Sequence, residues 1–423
     1  MYDTAHLGTF DAERWWRPID LADLPAVAGG GSVATMDELL AAYCGPDDLL
    51  LTRAPMTAGL RAGLAAAGIR FTHRFVEDVS TTGGTAEALV RQNPRLLANL
   101  RACRTLAPYA VLPDTAVLAA DVNRMDQLPP VVTVGEVNSK VWSNDVVCDL
   151  GLPGAATVVR SAAELVAAVT ACEGTAVVKD PFGVSGRGLL EIDNRRRLDR
   201  ISAALDRQYA QGRRIELLVQ DRYVCRTNFS AQLTIGRDGS VEVLGVQVME
   251  NHGYRYAGSA PGTALFVQDL TERGYFDTVT DVAKRLAAAG YHGPACIDSA
   301  LLADDTVVPV FEVNARRSMG LLCLTLQRRF HDSGLTCRLV DRTLRVAPGL
   351  GLDDLLDALH AQRLLYQGNA APGVLVLSGS GLAPPSARVY LALFERPGID
   401  LTPQVTAALA ARGFTTAGVV RAV

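Results

Sequence analysis

Cys296-Ile297-Asp298-Ser299-Ala300-Leu301-Leu302-Ala303, the pair Asp304-Asp305, and Val307-Val308-Pro309-Val310-Phe311-Glu312-Val313-Asn314 running on to Arg316 form the stretch that decides the architecture. Two apolar, β-prone runs around an acidic turn read as an antiparallel hairpin. In a near-symmetric hairpin Asp298 falls opposite the Phe311–Glu312 region, so two carboxylates become neighbours. The two-residue strand period puts Asn314 on the face of Glu312, and an extended continuation carries Arg316 there too. Carboxylates set among Ile297, Val310 and Phe311 repel one another in a partly buried site unless a divalent cation bridges them. Oxygen ligands of this kind suit Mg²⁺, which keeps waters and completes its shell with substrate phosphates. The alternative is an acidic cluster neutralised by Arg316 and Arg317.

Working outward, Lys179 ends the apolar run Ala176-Val177-Val178 and precedes Asp180-Pro181-Phe182-Gly183-Val184-Ser185-Gly186-Arg187-Gly188. Strands over 175–180 and 189–192 flank this loop, whose tip has little side-chain bulk. Its backbone N–H groups can lie on phosphate oxygens, and Ser185 can donate one hydrogen bond more. A hairpin without a ligand is the alternative. A Walker loop needs Gly-Lys-Ser/Thr before a helix, and kinases place the glycine loop before their lysine; here the lysine comes first. A buried ammonium is costly unless it meets an anion, which a triphosphate, or a salt bridge to Asp180 or Glu191, would supply. Lys140 follows Asn138-Ser139, either of which can cap a helix running toward Gly151. A cation at a helix start gains nothing from the helix dipole, so its position makes sense with an anion nearby.

The surrounding pattern separates into three regions. Up to about residue 135 short apolar strands alternate with Ala/Leu-rich helices, as in the strand, helix and strand expected over 48–52, 57–67 and 69–75. The triple glycine 29–31 before Ser32 lacks the preceding strand of a dinucleotide fingerprint and reads as a loop. The turn-rich run 126–130 marks a boundary. From 136 to 335 antiparallel pairs dominate, including 228–235 and 241–250 about Gly236-Arg237-Asp238-Gly239, with helices expected over 161–171, 198–211 and 270–290. The remainder, 336–423, carries strands over 374–378 and 388–394 and reads as a small α+β closing unit.

Composition sets the outer limits. A chain of 423 residues with 49% hydrophobic content suits two or three globular domains. A formal charge of −4 without a long basic run argues against duplex nucleic acid as partner. The eight cysteines are scattered without a Cys-x-x-Cys pair, as expected of reduced buried thiols rather than bridges or zinc ligands. No signal-peptide pattern or membrane-length apolar run is present, so the expected location is cytoplasmic. A homodimer through the N-terminal region is a further expectation.

Residues 138–320 resemble the ATP-grasp enzymes. The resemblance implies an ATP-grasp fold, two α+β subdomains clasping ATP, preceded by an α/β pre-ATP-grasp domain. It implies that Lys140 and Lys179 bind the ATP phosphates under the loop Gly183, Ser185, Gly186 and Gly188. Leu217-Leu218-Val219-Gln220-Asp221-Arg222-Tyr223 matches the adenine-holding strand and hinge, with Gln220 where glutamate is common. Asn228 and Ser230 fall at positions that contact ribose or phosphate, Ser230 replacing a common glutamate. Asp298, Glu312 and Asn314 match the magnesium ligands, Asp298 replacing a longer glutamate. Arg316 matches the arginine that steadies the transferring phosphoryl group. The α/β region, the segment Asn251–Gly258 and the C-terminal unit resemble pheganomycin-type peptide ligases; similar proteins of aminoglycoside pathways load an amino acid onto a carrier protein.

The implied chemistry is ATP-dependent conversion of a carboxylate into an acylphosphate, displaced by an amine to give an amide or peptide bond, in natural-product biosynthesis. Positioning and charge stabilisation suffice, so no Cys or Ser–His nucleophile is required. His252, Arg255 and Arg317 are candidate substrate contacts, the arginines as bidentate clamps for an amino-acid carboxylate. Two alternatives are a carboxylate–thiol ligase that docks a carrier protein through the arginines at 195–200 and 213–214, and a non-catalytic nucleotide-binding module.

Overall fold

The computed structural model describes residues 2–25, 33–76, 84–183, 188–384 and 386–416. Among these, the strands form three sheets. The first is parallel and comprises β1 (Tyr2–Leu7), β2 (Leu49–Thr52), β3 (Thr72–Phe75) and β4 (Cys103–Pro108), in the order β3-β2-β1-β4. Helix Ala58–Ala66 joins β2 to β3; Thr57 caps its start by accepting from Leu60 N, and Gly68 follows its end at φ 89°. The α/β reading of this region therefore holds. The triple glycine lies outside the described residues.

The second sheet, β5 (Thr157–Val159), β6 (Ala176–Lys179), β7 (Leu189–Ile192) and β8 (Leu217–Asp221), is antiparallel in the order β5-β8-β6-β7. Helices Ala162–Ala171 and Arg195–Ala210 bury Leu165, Leu198, Ile201 and Leu205 against it. The second helix starts earlier than the expected 198 because the Asn194 side chain caps it on Arg197 N.

The third sheet contains β9 (Cys225–Ile235), β10 (Val241–His252), β11 (Arg255–Pro261), β12 (Gly293–Leu302), β13 (Val307–Asn314), β14 (Thr336–Val346), β15 (Gly373–Ser378), β16 (Ser386–Glu395) and β17 (Phe414–Thr416). Its order is β13-β12-β9-β10-β11-β14-β16-β15, with β17 on β14. Hydrogen bonds between β11 and β14 thus cross position 336, and the C-terminal strands extend the large sheet. The helix expected over 270–290 is two helices, Ala264–Glu272 and Tyr275–Ala288. Gly274 breaks it at φ 72°, in the left-handed region that interrupts an α-helix. Tyr275 and Phe266 then both meet Phe229 of β9 edge-on, each with ring centroids 5.2 Å apart.

Around the boundary, helix Val131–Val137 precedes helix Lys140–Asp149, which Ser139 caps by accepting from Val141 N. The described cysteines are all free; Cys44, Cys103, Cys296, Cys323 and Cys337 are buried, whereas Cys172 and Cys225 are half-buried and Cys148 is exposed, against the expectation of burial. Among the described residues no helix is long and apolar enough to cross a membrane.

Candidate active site

A cavity of about 310 Å³ opens between the second and third sheets, lined in part by Lys140, Lys179, Asp298, Glu312, Asn314 and Arg316. The β12–β13 register places Asp298 directly opposite Glu312 and Cys296 opposite Asn314, with a bulge following Asp298. The Asn314 amide ties this face together. Its Nδ2 donates to Asp298 Oδ2 at 3.1 Å and its Oδ1 accepts from Arg316 Nη2 at 2.9 Å. Burial and the facing Glu312 push the Asp298 carboxyl up to about 6.

Lys140 reaches the same face from the start of its helix. Asn138 locks that start to β13 by accepting from Ala315 N at 2.9 Å and donating to Ala315 O at 3.3 Å. Further along the helix, Ser143 Oγ accepts from Val313 N at 3.0 Å. Lys140 Nζ then donates to Glu312 Oε1 at 2.8 Å and to Gly183 O at 2.5 Å. Glu312 is therefore paired with Lys140; of the two arginines of the acidic-cluster alternative, Arg316 does act on the acidic pair, whereas Arg317 turns away to His6.

Lys179 has no carboxylate within ion-pair distance among the described residues; its Nζ sits 5.2 Å from the Phe311 ring centre. Both partners that the salt-bridge alternative offered are taken. Asp180 accepts from Arg17 at 3.1 and 3.3 Å, and Glu191 accepts from Arg222 at 2.7 Å and from the Tyr254 hydroxyl at 2.5 Å. Burial, then the neighbouring Lys140, lower the Lys179 ammonium to about 8. Such a cation is poised for an exogenous anion.

The glycine loop closes as a tight neck. Asp180 N donates to Gly188 O at 2.7 Å, and a Cβ on Gly188, at φ 77°, would stand 3.0 Å from Gly183 Cα. Gly183 and Gly188 line the cavity; Ser185 and Gly186 lie outside the described residues. Val177, Leu189, Gln220, Asp221 and Tyr223 also wall the cavity, with Tyr223 tilted against Phe311 at 5.8 Å, and Asn228 and Ser230 follow on β9. Among aromatic, apolar and amide groups, a flat base finds stacking surface and polar edges.

Arg316 is held by a residue the sequence reading missed. Its Nε and Nη2 donate to Glu13 Oε1 at 2.8 and 2.5 Å, and its Nη1 donates to the Tyr109 hydroxyl at 2.9 Å. Burial opposes its charge, but Glu13 and Tyr109 more than offset that and hold it above its ordinary range. Glu13 lies in a one-turn helix of the α/β region, which carries no motif to mark it.

Three expected substrate contacts lie away from this cavity. His252 and Arg255 pair across a two-residue turn, Gly253-Tyr254, so the segment is a strand hairpin. Its wall-forming residues are Asn251, Tyr254 and Tyr256. Arg255 instead donates to Thr343 Oγ1 at 3.0 Å. Arg317 turns to His6 Nδ1 at 3.1 Å and stacks 4.3 Å from the Tyr43 ring centre. The sequence reading also missed Met249 and the Ser318–Gly320 corner, both in the wall.

The oxygen donors fit magnesium in kind. Asp298 and Glu312 face each other, burial and then that proximity raise the proton affinity of Asp298, and Asn314 adds an amide. No group of three His, Cys, Asp or Glu side chains forms a cation cage among the described residues. A cation here would draw its remaining ligands from phosphate and water, as Mg²⁺ does.

No family model matches the chain. A curated relative, the butirosin acyl-carrier protein–L-glutamate ligase of Niallia circulans, is 30% identical over 154 residues, 36% of this chain and 35% of that protein. The chain thus spans about a third of that relative's length in the match. Biotin carboxylase from Campylobacter jejuni superposes with a TM-score of 0.58 at 11% identity, covering 98% of this chain and 92% of that one. The L-amino acid ligase of Bacillus licheniformis gives 0.52 at 14% identity over 99% and 98%. N5-carboxyaminoimidazole synthetase from Staphylococcus aureus complexed with ADP gives 0.53 at 12% identity over 94% and 100%.

Proposed function

From the ATP-grasp fold that these likenesses show, we propose that the chain is an ATP-dependent ligase that activates a carboxylate and joins it to an amine. One observation carries this reading. Lys140, Lys179, Asp298, Glu312, Asn314 and Arg316, drawn from three separate stretches of sequence, meet on one cavity.

In this reading the base lies by Gln220, Tyr223 and Phe311, and the phosphates run toward the two lysines. Lys179, without an ion pair among the described residues, takes phosphate oxygens; Lys140 exchanges part of its bond to Glu312 for the same purpose. Asp298, Glu312 and Asn314 would hold Mg²⁺, which supplies neutralisation of phosphate charge when bound. The terminal phosphoryl group passes to a carboxylate oxygen and ADP leaves. The acceptor nitrogen then bonds to the acyl carbon, phosphate departs, and the nitrogen loses a proton. Arg316, fixed by Glu13, keeps a guanidinium beside the transferring group without reorganising.

The test is nucleotide turnover with amino acids supplied singly and in pairs. Magnesium-dependent ADP release that requires a specific pair supports the reading; AMP release, or no turnover with any pair, overturns it.

A second reading, transfer to the thiol of a carrier protein, is favoured by the name of the curated relative. On helix Arg195–Ala210, Arg196, Arg200 and Arg207 are exposed and make no ion pair among the described residues. Such a face suits an acidic partner. If ADP release requires a carrier protein and falls on charge reversal at Arg196 and Arg200, this reading replaces the first. A role in natural-product biosynthesis is proposed under either reading.

A further inference from the structure

A second cavity, of about 390 Å³, lies beside the carboxyl end of β4 and is lined by Leu106, Pro108, Tyr109, Leu128, Tyr291, Arg317 and Leu321, among others. Its place in the fold is informative. The first sheet runs outward from β1 to β2 and β3 on one side and then places β4 on the other, so its direction reverses between β1 and β4. Crevices outside the carboxyl ends of parallel strands, at such a reversal, are where open α/β sheets bind ligands. The chains approach closely there: a Cβ on Gly8, directly after β1, would stand 2.4 Å from Tyr109 Cβ.

Of the two arginines that line this cavity, Arg316 is paired with Glu13 and Arg317 has no ion pair among the described residues. Arginine has only donors, so His6 Nδ1, 3.1 Å from Arg317 Nη1, must accept, and the ring's Nε2 donates to Asp48 at 3.3 Å. The imidazole is neutral and stands between Arg317 and the nearest described carboxylate. The Tyr43 ring under the guanidinium offsets only part of its desolvation. Arg329 lies close by, donating to Cys44 O at 2.5 Å, and likewise has no carboxylate partner among the described residues. Arg317 therefore lines this cavity without a carboxylate partner among the described residues, beside walls that are largely apolar.

We infer that this cavity is a binding subsite for a small organic anion, with Arg317 taking an oxyanion such as a carboxylate and Leu106, Leu128 and Leu321 taking an apolar body. It is distinct from the nucleotide cavity and does not depend on the ligase reading. Arg316 lines both cavities, which makes it their shared wall.

Calorimetric titration with benzoate, and with benzamide as its uncharged counterpart, tests this on the full chain. Benzoate binds and benzamide does not. R317Q weakens benzoate by about tenfold or more, the scale of a lost charge-assisted hydrogen bond, while R317K retains part of the affinity. L128W, which fills the cavity and keeps the cation, also abolishes binding. Saturating ATP leaves benzoate bound. Failure of benzoate to bind the wild-type protein, wild-type affinity in R317Q and L128W, or displacement of benzoate by ATP overturns the inference. None of these results bears on ADP release with amino acids, so the two proposals fail separately.

Discussion

Arg316 and Glu13, 303 residues apart in the chain, are joined by two hydrogen bonds onto one carboxylate oxygen, at 2.8 and 2.5 Å. The second oxygen, Glu13 Oε2, is buried without a partner among the described residues. The first sheet's region thereby sets the direction of the guanidinium that faces Asn314. Removing one member of a buried pair leaves the other charge uncompensated.

Glu13→Ala is therefore expected to destabilise the protein by about 3–5 kcal/mol in urea unfolding. Glu13→Gln is expected to lose less stability and to lower kcat more than KM, because it loosens Arg316 without touching substrate. Equal kcat in Glu13→Gln and the wild type would remove Glu13 from the site.

Lys179 gives a pH dependence with two opposite signs. Its folded value of about 8 lies below its ordinary 10.5, so between those values the unfolded chain holds more protons and stability rises with pH. Anion binding needs the ammonium, so ATP affinity is expected to fall as pH climbs past about 8. Lys179→Met is expected to weaken ATP at pH 7 and to flatten this dependence, as read by calorimetry across pH.

Glu87 supplies a stability signature far from the cavity. It is buried, accepts from Thr9 at 2.8 Å and from Thr115 at 3.2 Å, and burial pushes its carboxyl up to about 7 from 4.5. The folded state then holds the extra proton, and stability falls as pH rises from about 4.5 to about 7, by up to about 3 kcal/mol. Glu87→Gln is expected to remove that slope from thermal unfolding curves recorded between those values.

Gly320→Ala reads the packing of the cavity corner. Alanine ordinarily favours a helix by about 1 kcal/mol over glycine. Here its Cβ would stand 2.6 Å from Gln232 Nε2 and 3.1 Å from Gln232 Cδ. Gln232 has little freedom to yield, since its amide donates to Ser230 Oγ at 2.8 Å and accepts from Ser318 Oγ at 2.6 Å. A net loss of about 1–3 kcal/mol is expected in chemical unfolding. A stabilised Gly320→Ala would show that this amide moves freely.

Much of the fold was legible because its signals are local. The hairpin carrying Asp298 and Glu312 announces itself through two apolar runs around an acidic turn, and its register follows from near-symmetry. The glycine loop and the Ser139 cap are equally short-range. The break at Gly274 was missed because an apolar period runs through both helices and a single glycine does not declare its φ. His252 and Arg255 were misplaced because the sequence shows glycine and polar residues there but not which face each strand presents.

The chain alone determined the pairing of the acidic strands, the lysine before its glycine loop and the alternation that makes an α/β region, since each depends on residues a few positions apart. Only the tertiary structure decided that Lys140 meets Glu312, that Arg316 answers to Glu13, and that Arg317 lines the second cavity alone while Arg316 lines both. These are contacts between segments whose separation in sequence carries no periodicity. The large buried surfaces of the sheets bring them together, and the charged side chains then settle on whichever partner that packing leaves within reach.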